Sequence, residues 1–389
     1  MAIMTIKSER SRTILIEALS ARGGGGRTYL QELFRRYQPV GQERVVAIVP
    51  KESKEDFEVN EQIEILAPPV KSRQVIFRWA WQRLAMGGLR RRIGATCVFC
   101  PGGMISVSTS MSYRVVTTCQ NMLPFDATER ARYPLGYMRA RLLLLRYLQL
   151  WAFRRADKII FLSEYAKKKV GLLLDEAAGR RSVVIPHGIT DRSSGSIERP
   201  SQLEGLGKYV LYVSIIDVYK AQLEVVRAWS LLRSHRSTPE KLVLVGPEYK
   251  PYAKRLRREI ANLCLEDEVV LLGEIPRNDL PQFYRHAEIN LFASSCENGP
   301  IILLEAMSAG RPVLCSNVPP MPEFAENAVL YFDPYNPKEL AVLLASTLED
   351  EKTRSSYGEM AAKRSEVFDI KDSTERTWTL LRTLADQNP

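Results

Sequence analysis

Residues 296–312 read CENGPIILLEAMSAGRP, and Glu305 is the single carboxylate inside this otherwise apolar helical run, eight positions after Glu297. Ile301, Ile302, Leu303, Leu304, Ala306 and Met307 surround it, so the helix is apolar on nearly every side and is expected to be buried, where an unpaired carboxylate is costly. Two readings follow. Glu305 sits on a solvated helix face, the usual fate of a helical glutamate, or it points into a cleft where ligand hydroxyls satisfy it. Asn298-Gly299 is turn chemistry, and Pro300 suits the first helical position, where the N–H it lacks would be orphaned anyway. The amides of Ile301 and Ile302 are then expected to be free, and with the positive end of the helix dipole they form an anion site suited to phosphate. Glu297 stands in the loop immediately before. Hydroxyl binding at two points with phosphate between them is the shape of a sugar nucleotide.

Working outward, strand-like runs at 13–19, 45–49, 97–100, 115–118, 158–163 and 183–186 alternate with helical patterns, and runs at 209–214, 242–246, 269–273, 289–293 and 313–316 repeat the alternation. Such alternation predicts an α/β protein with parallel sheets covered by helices. Two doubly wound domains follow, with a boundary near Pro186-His187-Gly188, and the polar Ser/Gly/Pro-bearing stretch 192–203 reads as a linker or exposed loop. Ligands of such domains bind at the carboxyl ends of the strands. Gly23 to Gly26 lie at one such end, before a helix expected to begin near Arg27-Thr28. Read alone, four glycines are as much a flexible tether as a phosphate cradle, and they do not fit the dinucleotide fingerprint.

Glu297, Glu305 and the run EAMSAGRPV at 305–313 resemble the E-x(7)-E signature of retaining glycosyltransferases of family 4. The resemblance implies the GT-B fold, with two Rossmann-like domains facing across a cleft. Residues 1–187 would form the acceptor domain, 188–370 the nucleotide-sugar donor domain, and 371–389 a helix returning to the N-terminal domain around Trp378. It implies that Glu305 binds the ribose hydroxyls and that Glu297 binds the hydroxyls of the transferred sugar. The segment YVSIIDVYKAQLEVVRAW at 212–229 resembles the family's lysine-bearing segment. That places Lys220 where it neutralises the departing diphosphate, a charge that grows in the transition state. Glu297 and Lys220 are thus the implied catalytic residues. Gly25, Gly26, Gly246, Asn298, Gly299, Pro300, Ile301, Ile302 and Glu305 would complete the donor site with Lys220. The departures are Pro300 where the commonest family version has Gly, and Ser214 and Ile215 where it has Gly and Arg. A second cation is therefore missing or comes from elsewhere. On the acceptor side Gln120 and Asn121 stand where the family often has a histidine; either can hydrogen-bond a sugar but not act as a base. His187 reads as a crossing residue, because the implied front-face displacement lets the leaving phosphate take the acceptor proton.

The Lys and Arg minus Asp and Glu count is 31 − 16 = +15 for residues 1–187 and 24 − 29 = −5 for 188–389. The basic half carries two mixed stretches, 71–92 with Phe77, Trp79, Trp81 and Leu84 among arginines from Arg73 to Arg92, and 130–155 with Tyr147 and Trp151 among Arg139, Arg141, Arg146, Arg154 and Arg155. Basic amphipathic segments of this kind suit an anionic membrane surface, and no run reaches the roughly 18 apolar residues of a span. The six cysteines are scattered and no secretory leader is read at the N-terminus, so reduced thiols and a cytoplasmic enzyme held at the inner face of the membrane are expected. Cys97 and Cys100 form a lone CxxC without a second pair, and no Asp-x-Asp is present, so neither resident metal nor cofactor is expected; the co-substrate is a UDP- or GDP-linked sugar. The expected activity is hexosyl transfer to a glycan or lipid-linked acceptor in surface polysaccharide or lipopolysaccharide synthesis. The alternatives are a sugar-nucleotide epimerase of the same fold, a synthase with a soluble acceptor, and a basic nucleic-acid-binding protein. The last is disfavoured because no helix-turn-helix, zinc-finger or RNA-binding signature is present.

Overall fold

The computed structural model describes residues 12–20, 24–69, 75–106, 112–190, 200–235 and 240–387. The first sheet is built from β1 (Arg12–Glu17), β2 (Glu43–Ile48), β3 (Ile63–Leu66), β4 (Cys97–Cys100), β5 (Arg114–Thr118), β6 (Lys158–Phe161) and β7 (Ser182–Val184), in the order β3-β2-β1-β4-β5-β6-β7. The second contains β8 (Tyr209–Val213), β9 (Lys241–Val245), β10 (Val269–Gly273), β11 (Ile289–Phe292), β12 (Val313–Ser316) and β13 (Leu330–Phe332), in the order β10-β9-β8-β11-β12-β13. Every pairing is parallel. Both sheets therefore reverse their winding once, between β1 and β4 and between β8 and β11, and such switch points are where open parallel sheets hold ligands.

Continuous apolar strands are what a sheet buried on both faces requires. In the first sheet Ile14 and Ile16 enter one core while Leu15 enters the other; in the second, Val210 and Tyr212 are separated in the same way from Tyr209, Leu211 and Val213. β3 and β13 were not among the expected strands. Both are short edge strands that are only partly buried; Glu64 interrupts the apolar run of β3, whereas β13 ends the apolar run 328–332, which the sequence reading passed over. Cys97 and Cys100 also fall on opposite faces of β4, in different cores, because side chains alternate along a strand; they cannot share a metal ion.

The chain divides into two units, one of Met1–Gln120, Leu143–His187 and Ile370–Pro389, the other of Asn121–Leu142 and Gly188–Asp369. The expected boundary at 187/188 coincides with one crossing, but 121–142 departs from the expected 1–187 domain. This excursion is held in the second unit by side chains: Tyr133 is buried and its hydroxyl donates to Asp217 at 2.8 Å. The helix Ile370–Asp386 belongs to the first unit, where Trp378 is buried and its indole N–H donates to the Leu33 carbonyl at 3.0 Å. Gly24–Gly26 are not a loop but the first residues of the helix Gly24–Arg35, ahead of the expected start at Arg27-Thr28; Gly23 lies outside the described residues.

Trp378 packs in the first unit's core together with Ile370, Leu381, Leu384 and Ala385 of the same helix. Trp378→Ala is predicted to cost about 3–5 kcal/mol of stability, read as the midpoint of chemical unfolding monitored on the first unit.

Candidate active site

The switch point of the second sheet brings together the loops that follow β8 and β11. After β8, Asp217 caps a single tight turn, Val218–Lys220, by accepting the Val218 N–H at 2.7 Å, and Ala221 at φ 54° turns the chain into the helix Gln222–His235. That turn carries Lys220 inward, to 4% exposure. Its ammonium forms an ion pair with Glu297 Oε1 and lies 4.9 Å from the Tyr219 ring centroid and 5.6 Å from that of Phe292. Two aromatic faces and a carboxylate compensate the cost of burying the charge. The loop after β11 is tied to the same turn: the Ser295 N–H donates to the Tyr219 carbonyl at 2.8 Å and its hydroxyl does so at 3.0 Å. The two residues implied as catalytic are thus in contact through loops that are bonded to each other.

Gly246 follows β9 and fixes a third loop of the site. Its φ is +142°, and a Cβ there would stand 2.1 Å from the Ser214 carbonyl oxygen, so only glycine lets the loop after β9 close on the loop after β8. Ile215, at the position of the absent arginine, uses its carbonyl to accept from Gln222 Nε2 at 2.9 Å, while the same amide donates to Ser214 Oγ at 2.8 Å.

Downstream, Asn298 is buried and Gly299 leads to Pro300, which is the N-cap of the helix Ile301–Ser308 and not its first residue. The Ile301 N–H, expected to be free for an anion, donates to the Gly299 carbonyl at 2.9 Å, so this helix start offers one free donor fewer than the sequence suggested. Ile302, Glu305 and Ser308, three residues apart, form the half-open face of the helix. Glu305 is half-buried and has a partner within the chain: Arg277 Nη2 donates to its Oε1 at 2.7 Å. Arg277 lies in the loop after β10, another carboxyl end, and was missed in the sequence although it stands four residues after that strand, where ligand-binding residues gather.

In the first unit, Gly26 faces Gln120, whose Oε1 would stand 3.5 Å from a Cβ added at Gly26. That oxygen is 3.3 Å from His187 Nε2, and the His187 ring lies 4.2 Å from the Tyr29 ring centroid. Because a glutamine Oε1 only accepts, Nε2 carries the proton and Nδ1 is left as an acceptor. Burial drives the His187 pKa down to about 3, so the ring is neutral at physiological pH. Asn121 is separated from Gln120: it falls in the second unit, and its Oδ1 accepts the Leu123 N–H at 2.9 Å to form a turn. Gly25 is half-buried in the first turn of its helix beside Gly26.

His187 gives a pH signature whose sign is fixed. Its folded pKa lies below the unfolded value, so the unfolded chain binds the extra proton between about pH 6.5 and 3, and stability falls as pH drops through that window. His187→Asn is predicted to remove about 2 kcal/mol of the loss seen between pH 6.5 and 4.5, measured by urea unfolding at both pH values.

Two family models match the chain, "Glycosyltransferase Family 4" over residues 23–192 and "Glycosyl transferases group 1" over residues 196–364. The O-antigen chain mannosyltransferase B of Escherichia coli is 27% identical over 170 residues, 43% of this chain and 44% of that protein. The chain spans less than half the length of the curated relatives it matches. The sucrose-phosphate synthase tll1590 from Thermosynechococcus elongatus superposes with a TM-score of 0.75 at 18% identity, over 96% of this chain and 99% of that one. Anabaena Alr3699/HepE, solved in complex with UDP and glucose, gives 0.69 at 17% identity over 96% and 100%. At such identities the structural likeness speaks for the fold. Two parallel sheets each wound around one switch point, with family matches over both halves in the right order, make the chain a family 4 glycosyltransferase of the GT-B fold.

Proposed function

We propose that the protein transfers a sugar, with retention of anomeric configuration, from a UDP- or GDP-linked donor to a glycan or lipid-linked acceptor in O-antigen-type surface polysaccharide synthesis. The observation that carries this reading is the double pairing at the second switch point, Lys220 with Glu297 and Arg277 with Glu305. Each carboxylate is held by a cation of the chain itself. A nucleotide sugar offers hydroxyls to the carboxylates and a diphosphate to the cations, so it replaces both pairs without leaving a buried charge unmatched. In the step, the bond from the anomeric carbon to the diphosphate oxygen breaks, the acceptor oxygen bonds the same carbon from the same face, and the leaving phosphate takes the acceptor proton. Lys220 stabilises the charge that grows on that phosphate. Arg277 supplies the second cation that Ile215 cannot. Glu297, freed from Lys220, orients the transferred sugar, and Glu305 holds the ribose. The reading is supported by the mannosyltransferase named for O-antigen synthesis and by the fold neighbour that holds UDP and glucose.

The acceptor side is proposed to work at an anionic membrane surface. No described helix is long and apolar enough to cross a membrane. In the first unit, however, the helix Val75–Ile93 exposes Phe77 and Leu84, and the segment 143–155 exposes Leu143, Leu144 and Tyr147, with the Arg155 guanidinium 4.3 Å over the Trp151 ring. Apolar and basic residues are spread around both helices and not gathered on opposite faces, so the amphipathic pattern expected from the sequence is not formed, and the reading is supported by the exposed apolar side chains among arginines alone. Arg90 is not one of these arginines, since it stacks on Tyr113 at 4.0 Å, and Arg73 lies outside the described residues.

Glu305→Ala is predicted to weaken UDP and GDP binding by about 1.5–3 kcal/mol in titration calorimetry. Glu297→Gln lowers turnover more than affinity, and EDTA leaves turnover intact because the diphosphate is neutralised by side chains. Wild-type rates in both variants, or an absolute need for a divalent ion, would contradict the assignment. For the membrane, the protein should sediment with phosphatidylglycerol vesicles and not with phosphatidylcholine vesicles, and salt should release it, because the attraction is screened over about 8–10 Å at physiological ionic strength. Changing Arg83, Arg91 and Arg92 together to Glu should weaken that sedimentation and spare donor hydrolysis; equal recovery with both vesicles would point to a soluble acceptor.

A further inference from the structure

The geometry points to Arg132 as a positioning residue for the donor loops, with residues 121–142 serving as a clasp that holds the Lys220 turn and the Glu297 loop in register. This rests on the donor-site reading above and adds to it a residue that touches neither donor nor acceptor. Asp126 caps the helix Ala127–Arg132 by accepting the Glu129 N–H at 3.0 Å, which sets the last residue of that helix against the second unit's core loops. One edge of the Arg132 guanidinium, Nη1, donates to Ser295 Oγ at 3.1 Å and to Glu129 Oε2 at 3.1 Å; Nη2 donates to Glu224 Oε1 at 3.0 Å. Its carbon centre lies 5.2 Å over the Tyr335 ring, and the Tyr335 hydroxyl bonds Glu129. Burial alone would lower the pKa of Arg132, yet Glu129 and then Glu224 raise it above its usual value, so the fork stays charged at any working pH.

The next residue grips the other loop. The Tyr133 hydroxyl donates to Asp217 Oδ1 at 2.8 Å, and the same oxygen accepts the Val218 N–H that begins the Lys220 turn. Ser295, held by Arg132, stands two residues before Glu297 and is bonded to the Tyr219 carbonyl, one residue before Lys220. Adjacent side chains therefore fasten the two loops whose charged residues must exchange partners when a diphosphate arrives. During that exchange Lys220 and Glu297 no longer hold each other, and the clasp then works with the Ser295 bonds and the Tyr212 hydroxyl, which donates to the Lys220 carbonyl at 2.8 Å, to keep the loops in place. A displacement of about 1 Å in such a constellation costs on the order of 100-fold in rate. The bidentate, planar fork is needed for this, since a lysine ammonium cannot span Ser295 and Glu224 with fixed geometry.

Cys296, buried between Ser295 and Glu297, reports on the clasp without any donor. Full-length wild type, Arg132→Ala, Arg132→Lys and Tyr133→Phe are treated with iodoacetamide under native conditions, and alkylation is mapped by mass spectrometry, with Cys315 on β12 as the buried control in the same unit. Cys296 is expected to react at least tenfold faster in Arg132→Ala, and less so in Arg132→Lys and Tyr133→Phe, while Cys315 stays protected. Unchanged Cys296 protection, or Cys296 and Cys315 rising together as in general loosening, would overturn the inference. With UDP- and GDP-sugars, Arg132→Ala should lower kcat about 100-fold with KM shifted only a few-fold, and Arg132→Lys should recover part of it. Equal losses in kcat/KM through KM alone would also count against a positioning role. A wild type that neither binds nor cleaves any of these donors would defeat the transferase reading, and the alkylation comparison would still decide the clasp.

Discussion

The ion pair between Lys220 and Glu297 is the constraint around which the second unit is arranged. Both side chains are largely buried, and separating them would strand a charge in a site walled by Tyr219 and Phe292. The surrounding structure can be understood as what makes that pair possible: Asp217 starting the tight turn, Ala221 in a left-handed conformation to end it, Ser295 bonding one loop to the other, and Gly246 admitting the third loop. A pair of this kind contributes little net stability compared with an apolar substitute but fixes one arrangement over others. In a transferase that arrangement has a further use. On the proposed reading the pair opens when the donor arrives, the ammonium passing to the diphosphate and the carboxylate to the sugar, while the two loops that carry them stay bonded through Ser295 and the Tyr219 carbonyl.

Much of this was legible in the sequence because the site residues lie where strand periodicity ends. Eleven of the strands were visible as apolar runs, and the carboxyl ends of β8 and β11 carried the motif residues Lys220, Glu297 and Glu305. What could not be read was pairing. Glu305 in an apolar helix announced that it needs a partner, but nothing local identifies Arg277, which is 28 residues away and meets it only once β10 and β11 are placed in one sheet. The Ile301 amide was expected to be free because a proline precedes it; the backbone instead turns so that the Gly299 carbonyl takes it, a choice made by φ and ψ and invisible in residue types.

Residues 121–142 escaped for a different reason. From Arg130 on they read as part of the basic stretch 130–155, and in composition they are. Arg130 donates to the Pro124 carbonyl at 2.6 Å, however, and Arg132 enters an ion network with Glu129 and Glu224, so two cations counted toward a surface are consumed within the fold. Charge counts over half a chain do not distinguish arginines that face solvent from those that join elements distant in sequence. The excursion also means that the unit carrying the donor motifs is completed by sequence lying upstream of its own first strand. A fragment beginning at Gly188 would lack Arg132 and Tyr133.

A double-mutant cycle on Lys220 and Glu297 tests the central claim most directly. Unfolding free energies of the wild type, Lys220→Met, Glu297→Gln and the double variant are compared at pH 7.5. If the pair is the buried anchor described here, each single variant strands a charge or a donor and the coupling energy is about 2 kcal/mol or more, with the double variant no less stable than the worse single. Additive losses, with coupling within about 0.5 kcal/mol of zero, would mean that the two side chains do not hold each other and that the site is not organised around them.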